Sequence, residues 1–283
     1  MPEFSFTDRI LTNANGNQQI INFYNYAKRF SNCWLTLNVD NLVYMEANLS
    51  ALVVAMAHKL RKEKRVRIYL DYKNLKGDLN ILVRNGFSSW VTGNQDKFKP
   101  FDQRESTIPV CAFPIDAIDD YVEYIERTLM RHRGMDKVKF QDKGRVKDGY
   151  LEIFENVDLH ANTKEPVFCC GQYFPYLKEV KFTLVDLGDG FLKKIMAFTK
   201  NFEYPIEEAV DAIKWAIEGG STKPDAMGGT GLKRIFMYCL KNNGEIHIVS
   251  DDCYWSFFDR KIENQKIDKP FVGATIHLVF RHL

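Results

Sequence analysis

Helix-like and strand-like spacings of apolar residues alternate along the first hundred positions of the chain. Apolar residues recur at helical spacing in three segments and alternate with polar residues in two others. In chain order the predicted elements are helix 18–30, strand 33–39, helix 48–64, strand 65–70 and helix 79–85. Residues 1–18 are polar and carry a turn signal at Asn13-Ala-Asn-Gly16. The pattern therefore predicts an α/β domain over residues 1–100.

The pattern is interrupted after this first domain. Residues 97–114 contain three prolines, many charges and no clear period, which is typical of a domain boundary. Helical spacing returns over Ile115–Arg133, where we predict an amphipathic connecting helix with a basic C-terminal end. We assign residues 101–145 to a linker and connecting helix, and residues 146–283 to a second domain.

A polar stripe marks the first helix of the second domain, which starts near Leu151. Glu152, Asn156 and His160 are spaced i, i+4 and i+8 and share one face, while apolar residues cover much of the remaining surface. Unpaired buried polar groups cost about 1–3 kcal/mol each, so this face needs partners. A ligand with a metal ion would supply them.

Two glycine-containing segments follow this helix. The predicted strand Val180–Val185 ends in Asp186, and Gly188 and Gly190 come directly after it. A carboxylate at a strand end can accept a hydrogen bond from an exocyclic amine, and glycines let backbone approach a flat ring. Farther on, glycine-rich residues 228–231 lead into an apolar helix over 232–240, whose first N–H groups would form an anion site.

These segments resemble the N, G1 and G2 boxes of the GHKL superfamily, which groups gyrase, the heat-shock chaperone ATPase, histidine kinases and mismatch-repair proteins. The matching motifs are Glu152-x3-Asn156-x3-His160, Asp186-x-Gly188-x-Gly190 and Gly229-x-Gly231-Leu232. Residues 243–250 and 273–275 are similar to the strands that follow the G2 helix in that family. The run from Asn156 to His160 resembles the anti-sigma-factor kinase branch. The resemblance implies a GHKL ATP-binding α/β sandwich, so the fold class expected for the chain is α/β (α+β).

The resemblance also implies roles for individual residues. Asn156 would ligate Mg²⁺, and Glu152 would orient or deprotonate the attacking water or hydroxyl. Glu155 is an alternative base, although it lies about 100° around the helix from Asn156. Asp186 would recognise adenine, and His160 either contributes to the site or is a helix-end residue satisfied by backbone.

The remaining implied positions surround the ring and the phosphates. Residues of the glycine-rich segment and the helix start would hold the phosphates, Gly188 and Gly190 would line the ring, and Thr275 would support a water network beside adenine. The phosphate-side residues are Gly228, Gly229, Thr230, Gly231 and Leu232. The segment between Phe191 and Met227 corresponds to the family's lid over the phosphates.

Residues 15–100 resemble a STAS domain, the fold of sulfate transporters and anti-sigma-factor antagonists. The resemblance rests on three segments: Leu35–Val39, Val43–Asn48 ahead of the long helix, and Leu82–Phe87. Where phosphorylatable relatives carry a serine, this chain has Met45-Glu-Ala-Asn48, and the nearest hydroxyl is Ser50. A helix-surface serine at that place is more often inert.

Composition and the placement of the cysteines argue against several other classes of protein. The formal charge of +2 gives no bias towards nucleic acid or membrane, and no apolar run approaches the roughly 18 residues of a membrane span. The N-terminus has no apolar signal region, so we expect a cytoplasmic protein. The six cysteines are scattered and favour free thiols over structural zinc. Gly188-x-Gly190 does not extend to a Rossmann pattern, because Lys193 stands at the third glycine.

Two functional classes remain open. The protein is either an ATPase or protein (serine/threonine) kinase acting on a partner protein, or an ATP-controlled interaction switch with slow or absent turnover. ATP and Mg²⁺ are the expected cofactors in both. The sequence predicts an unidentified regulatory protein partner and leaves the oligomeric state open, a homodimer included.

Overall fold

A computed structural model of the protein describes residues 1–94, 100–160, 163–222 and 230–281, with backbone only at 158–160. It has mixed α/β architecture, with one parallel and one antiparallel sheet. The first sheet has the order β1-β2-β3 and is formed by β1 (Glu3–Ile10), β2 (Trp34–Met45) and β3 (Arg67–Tyr69). Strand β1 lies where the sequence predicted only a polar turn segment. Phe4, Phe6 and Ile10 do lie at strand spacing and pack in the core, but Asp8 interrupts the alternation, so the strand signal is short.

Two long helices cover one face of this parallel sheet. Helix α1 (Ala14–Ala27) begins at the N-cap Asn13, whose side chain accepts a hydrogen bond from the Gly16 N–H. Helix α2 (Ser50–Lys64) follows a short 3₁₀ turn and is buried along most of its length. The predicted helices 18–30 and 48–64 are thus present with shifted ends. Short helices α3 (Ile81–Arg84) and α4 (Phe87–Thr92) complete this unit.

The range 101–145 differs from the predicted linker and connecting helix. It contains β4 (Thr107–Phe113), which pairs with β5 (Val167–Phe174) in the second sheet. The predicted helix 115–133 is divided into α5 (Ile118–Tyr124) and a π-helical turn at Ile125–Leu129. Pro109 hid the strand in the sequence, yet proline is tolerated at β4 because β4 is an edge strand.

The second sheet is antiparallel, with the order β4-β5-β6-β8-β7. Besides β4 and β5, its strands are β6 (Glu179–Asp186), β7 (Glu245–Phe258) and β8 (Lys261–Arg281). The helices of this half of the chain are α6 (Phe140–His160), α7 (Leu192–Thr199), α8 (Ala209–Ile217) and α9 (Gly231–Asn242). Helices α6, α8 and α9 share an apolar core with one face of the sheet. Helix α6 begins well before Leu151, because Val146 and Tyr150 extend its buried stripe upstream. Within the described chain no helix is long and apolar enough to cross a membrane.

The C-terminal half of β7 and the N-terminal half of β8 form a hairpin that folds back along the edge of the sheet. At its tip Arg260 donates to Asn243 Oδ1 at 2.7 Å, beside the start of β7. Tyr254 lies 2.6 Å from His247 Nδ1, so the second half of β7 contacts the first half. This arrangement covers part of an edge strand that would otherwise present unpaired backbone groups.

Helices α1 and α2 pack against the opposite face of the second sheet, so they lie between the two sheets. Their apolar side chains share one core with Phe168, Val185 and Val249 of the second sheet. The layers are therefore sheet, helices, sheet, helices. The two predicted domains share a continuous interface, which places the N-terminal unit behind the candidate site.

Candidate functional site

A cavity of about 140 Å³ opens between α6, α8, α9 and the second sheet. Four predicted site residues line it: Asn156, Asp186, Gly190 and Leu232. They come from the three separated sequence segments, which the fold brings together. The apolar part of the lining is formed by Ile153, Val157, Phe191, Ile195, Trp215, Ala216, Ala274 and Ile276.

Asn156 lines this cavity and carries an unsatisfied polar atom. It lies on α6 between Ile153 and Val157, which are buried and hold the helix against the core. Asn156 Oδ1 is buried and has no hydrogen-bond partner within the described chain. Because a buried unsatisfied acceptor costs about 1–3 kcal/mol, this oxygen is suited to a cation or donor that enters the cavity.

Asp186 lies at the end of β6 with 8% of its surface exposed. Its carboxylate accepts hydrogen bonds from the backbone N–H of Gly188, at 2.9 Å, and of Ala274. The pKa of Asp186 is raised to about 6, mainly by burial and to a smaller extent by the nearby charge of Asp251, while the two backbone hydrogen bonds oppose the rise. Asp186 is thus a buried acceptor whose protonation changes just below neutral pH.

The backbone after Asp186 is held by two residues at the bend of β7. Ser250 Oγ accepts from the Phe191 N–H at 2.9 Å, and Asp251 Oδ2 accepts from the Leu192 N–H at 3.1 Å, where α7 begins. Gly190 packs against both, since a Cβ there would lie 2.7 Å from Ser250 Oγ, and its φ is +73°. This position therefore requires glycine for both conformation and space.

Glu152 and Thr230 are joined at the start of α9. Glu152 accepts from the Thr230 N–H at 2.6 Å and from the Thr230 hydroxyl at 2.7 Å. The carboxylate thus caps the helix and lies at its positive end. Gly231 and Gly149 allow the two helices to approach closely, because a Cβ on Gly231 would be 2.8 Å from Gly149 O. Glu152 and Thr230 are not part of the cavity lining.

Thr275 is not where the resemblance implied. It pairs in register with Val185 and Val249, whose side chains belong to the core shared with the N-terminal unit. Its neighbours Ala274 and Ile276 line the cavity instead. Since side chains alternate between the faces of a strand, Thr275 points away from the cavity and does not support a water network beside a bound ring.

The remaining predicted positions either lie away from the cavity or fall outside the described residues. Glu155 is exposed on α6 and does not line the cavity. The side chain of His160, together with Gly228 and Gly229, lies outside the described residues, as does most of the predicted lid's C-terminal end.

Several lining residues were missed by the sequence analysis. Trp215 and Lys194 line the cavity, although neither belongs to a recognised motif. Gly220 was interpreted only as a breaker, whereas a Cβ at this position would lie 2.2 Å from the Trp215 ring.

Comparison with known proteins adds no relatives, since no protein-family model matches the chain and no curated protein matches it. Among the described residues no group of three His, Cys, Asp or Glu side chains is arranged to hold a metal ion.

Proposed function

We propose that the chain binds ATP with Mg²⁺ in the cavity between α6 and the second sheet, in the manner of a GHKL domain. The observation that carries this proposal is the convergence of Asn156, Asp186 and Gly190 on one cavity. These residues come from two separated motifs and supply an unsatisfied oxygen, a buried carboxyl and a close backbone approach.

The cavity suits an aromatic ring in size and chemistry. An apolar cavity of about 150 Å³ is large enough to bind benzene, and this one measures about 140 Å³. Ile153, Val157 and Ile276 provide apolar surface, and the Asp186 carboxylate is an acceptor for an exocyclic amine. Adenine, a flat ring with an exocyclic amine, matches this chemistry.

Asn156 and the start of α9 would serve the phosphate end. The Asn156 amide oxygen would hold Mg²⁺, a hard cation that prefers oxygen ligands and retains several waters. The cation would supply charge neutralisation for the phosphates. Gly231 is the first residue of α9, where backbone N–H groups favour an anion, whereas the Thr230 N–H is already donated to Glu152.

The catalytic version of the proposal assigns Glu152 to the proton of an attacking water or hydroxyl, so that the protein is an ATPase or a protein kinase. One observation favours the alternative, an ATP-controlled switch. Both Glu152 oxygens already accept hydrogen bonds from Thr230, and Glu152 does not line the cavity, so the carboxylate is placed as a cap rather than within reach of a nucleophile there. As a cap, Glu152 would instead couple the phosphate end to the position of α9.

The N-terminal unit is proposed to be STAS-like. A parallel sheet with α1 and α2 on one face agrees with that fold class. Ser50 does not serve as a phosphorylation site in this proposal, because it is fully buried and its hydroxyl accepts from Asn85 Nδ2 at 2.9 Å.

The decisive experiment is a calorimetric titration of the purified protein with ATP and Mg²⁺. Asp186→Asn should weaken binding about ten- to a hundredfold, because a charge-assisted hydrogen bond contributes about 1.5–3 kcal/mol. Asp211→Asn is the matched control, since Asp211 is half-exposed and ion-paired with Lys214 on the surface. It should bind ATP like the wild type.

A folded Asp186→Asn protein with unchanged affinity would refute the adenine assignment. Incubation with γ-labelled ATP then separates the two classes. Released phosphate or a labelled partner supports the enzyme, and bound nucleotide without either supports the switch.

A further inference from the structure

A second concave surface lies outside the ATP cavity, between the first half of α6 and the exposed face of α9. This α6–α9 groove encloses about 590 Å³. Its lining residues are Asp142, Arg145, Thr230, Lys233, Arg234, Met237, Tyr238 and Lys241. The α9 residues recur at helical spacing and form one stripe from the start of the helix to its last turn.

The groove is strongly positive although the whole chain carries only +2. Four of its lining residues are cations, and Asp142 is its one acid within the described chain. Asp142 is 3% exposed and already engaged, with Lys241 Nζ at 3.4 Å and Arg145 at 3.8 Å. The groove therefore has an excess of positive charge that its own acid does not neutralise.

Lys233 and Arg234 carry the free part of that charge. Both are exposed, and neither has a carboxylate within ion-pair distance among the residues that the structure describes. Met237, one turn farther along α9, is 54% exposed and adds an apolar, adaptable contact on the same stripe. The surface thus offers unpaired cations beside an apolar side chain.

We propose that the α6–α9 groove docks an acidic segment of a partner protein, with carboxylates at Lys233 and Arg234 and an apolar side chain at Met237. A nucleic acid is a poorer fit. Proteins that bind single strands add exposed aromatic platforms for the bases, whereas the groove's aromatic residue, Tyr238, is 5% exposed.

The position of the groove gives the docked segment a role that rests on the proposed function. Thr230 lines the groove and is held by Glu152, so the groove opens at the end of α9 where the phosphates of ATP would lie. A partner bound there has its hydroxyl-bearing side chains near the phosphate end. The proposed partner is therefore an acidic protein, which is either the phosphoacceptor or a regulated ligand.

The test uses the full chain and a fluorescein-labelled peptide of alternating glutamate and leucine, followed by fluorescence anisotropy at low salt. Lys233→Glu/Arg234→Glu should weaken binding by at least about tenfold. The control Lys261→Glu/Lys269→Glu makes the same change in net charge at exposed positions on β8 and should change affinity less than about twofold. Binding should also weaken as salt rises, because the groups are exposed.

Three results would overturn the proposal: no peptide binding by the wild type, equal loss in both double variants, or tighter binding of a single-stranded DNA of the same charge that depends on Lys233 and Arg234. ATP titrations of the same proteins keep the two proposals apart. Peptide binding that requires the groove, in a protein that binds no ATP, would support the groove and refute the nucleotide site.

Discussion

Replacement of Thr183 by valine should destabilise both halves of the protein together. Thr183 is fully buried on β6, on the face covered by α1 and α2. Its Oγ1 accepts from Asn48 Nδ2 at 3.0 Å and lies 2.8 Å from His277 Nδ1. His277 Nε2 lies 3.0 Å from Asn17 Oδ1, which is an acceptor, so Nε2 carries the proton and Thr183 donates to Nδ1.

The hydroxyl thus connects α1, the 3₁₀ turn before α2 and the second sheet. Burial lowers the pKa of His277 well below its ordinary value, so the ring stays neutral and needs the Thr183 proton at Nδ1. Valine keeps the shape but leaves His277 Nδ1 without its donor and Asn48 with one acceptor, Thr12 Oγ1. At about 1–2 kcal/mol for each of the two affected groups, Thr183→Val should lower the free energy of unfolding by about 2–4 kcal/mol.

Urea denaturation followed by circular dichroism and tryptophan fluorescence measures this effect. The tryptophans lie in both units, at Trp34 and Trp90 and at Trp215 and Trp255, so both signals should shift to lower urea in a single transition. Thr36→Val is the control, because Thr36 is only partly buried on β2, and it should change stability by less than about 0.5 kcal/mol. Separate transitions, or a Thr183→Val effect no larger than the control, would refute the reasoning.

Three further changes test the site. The pKa of Asp186 is raised from 3.8 to about 6, mainly by burial, so between these pH values the folded protein holds a proton that the unfolded chain has lost. The free energy of unfolding therefore falls as pH rises through that interval. Asp186→Asn should remove about 2–3 kcal/mol of this fall, measured by urea titrations at several pH values. Glu152→Ala removes the cap of α9 and should lower the free energy of unfolding by about 0.5–2 kcal/mol in the same assay. If Glu152 also accepts the proton of the nucleophile, ATP turnover should fall about 10²–10⁴-fold while ATP affinity is retained. Gly190 has a φ of +73° and packs against Ser250, so Gly190→Ala should lower the free energy of unfolding by more than about 1 kcal/mol in thermal denaturation. The same variant should weaken ATP binding in calorimetry. Unchanged stability and affinity would show that the turn adapts to the added methyl group.

The sequence alone determined the mixed α/β class and most of the long elements. Helical and alternating spacings identified the cores of α1, α2 and α9, because these elements bury one continuous face and their period is visible in the chain. The motifs also identified Asn156 and Asp186 as site candidates, and these do line one cavity.

The tertiary structure decided what depends on neighbours distant in the chain. Strand β4 was hidden in the predicted linker, because its partner β5 lies more than fifty residues later and the segment carries Pro109. The face on which Thr275 lies follows from the register of β8 against β6 and β7, and a shift by one residue would have placed it in the cavity. The Glu152–Thr230 contact and the buried chain from Asn17 to Asn48 through Thr183 join residues far apart in sequence, and local periodicity carries no information about such pairs.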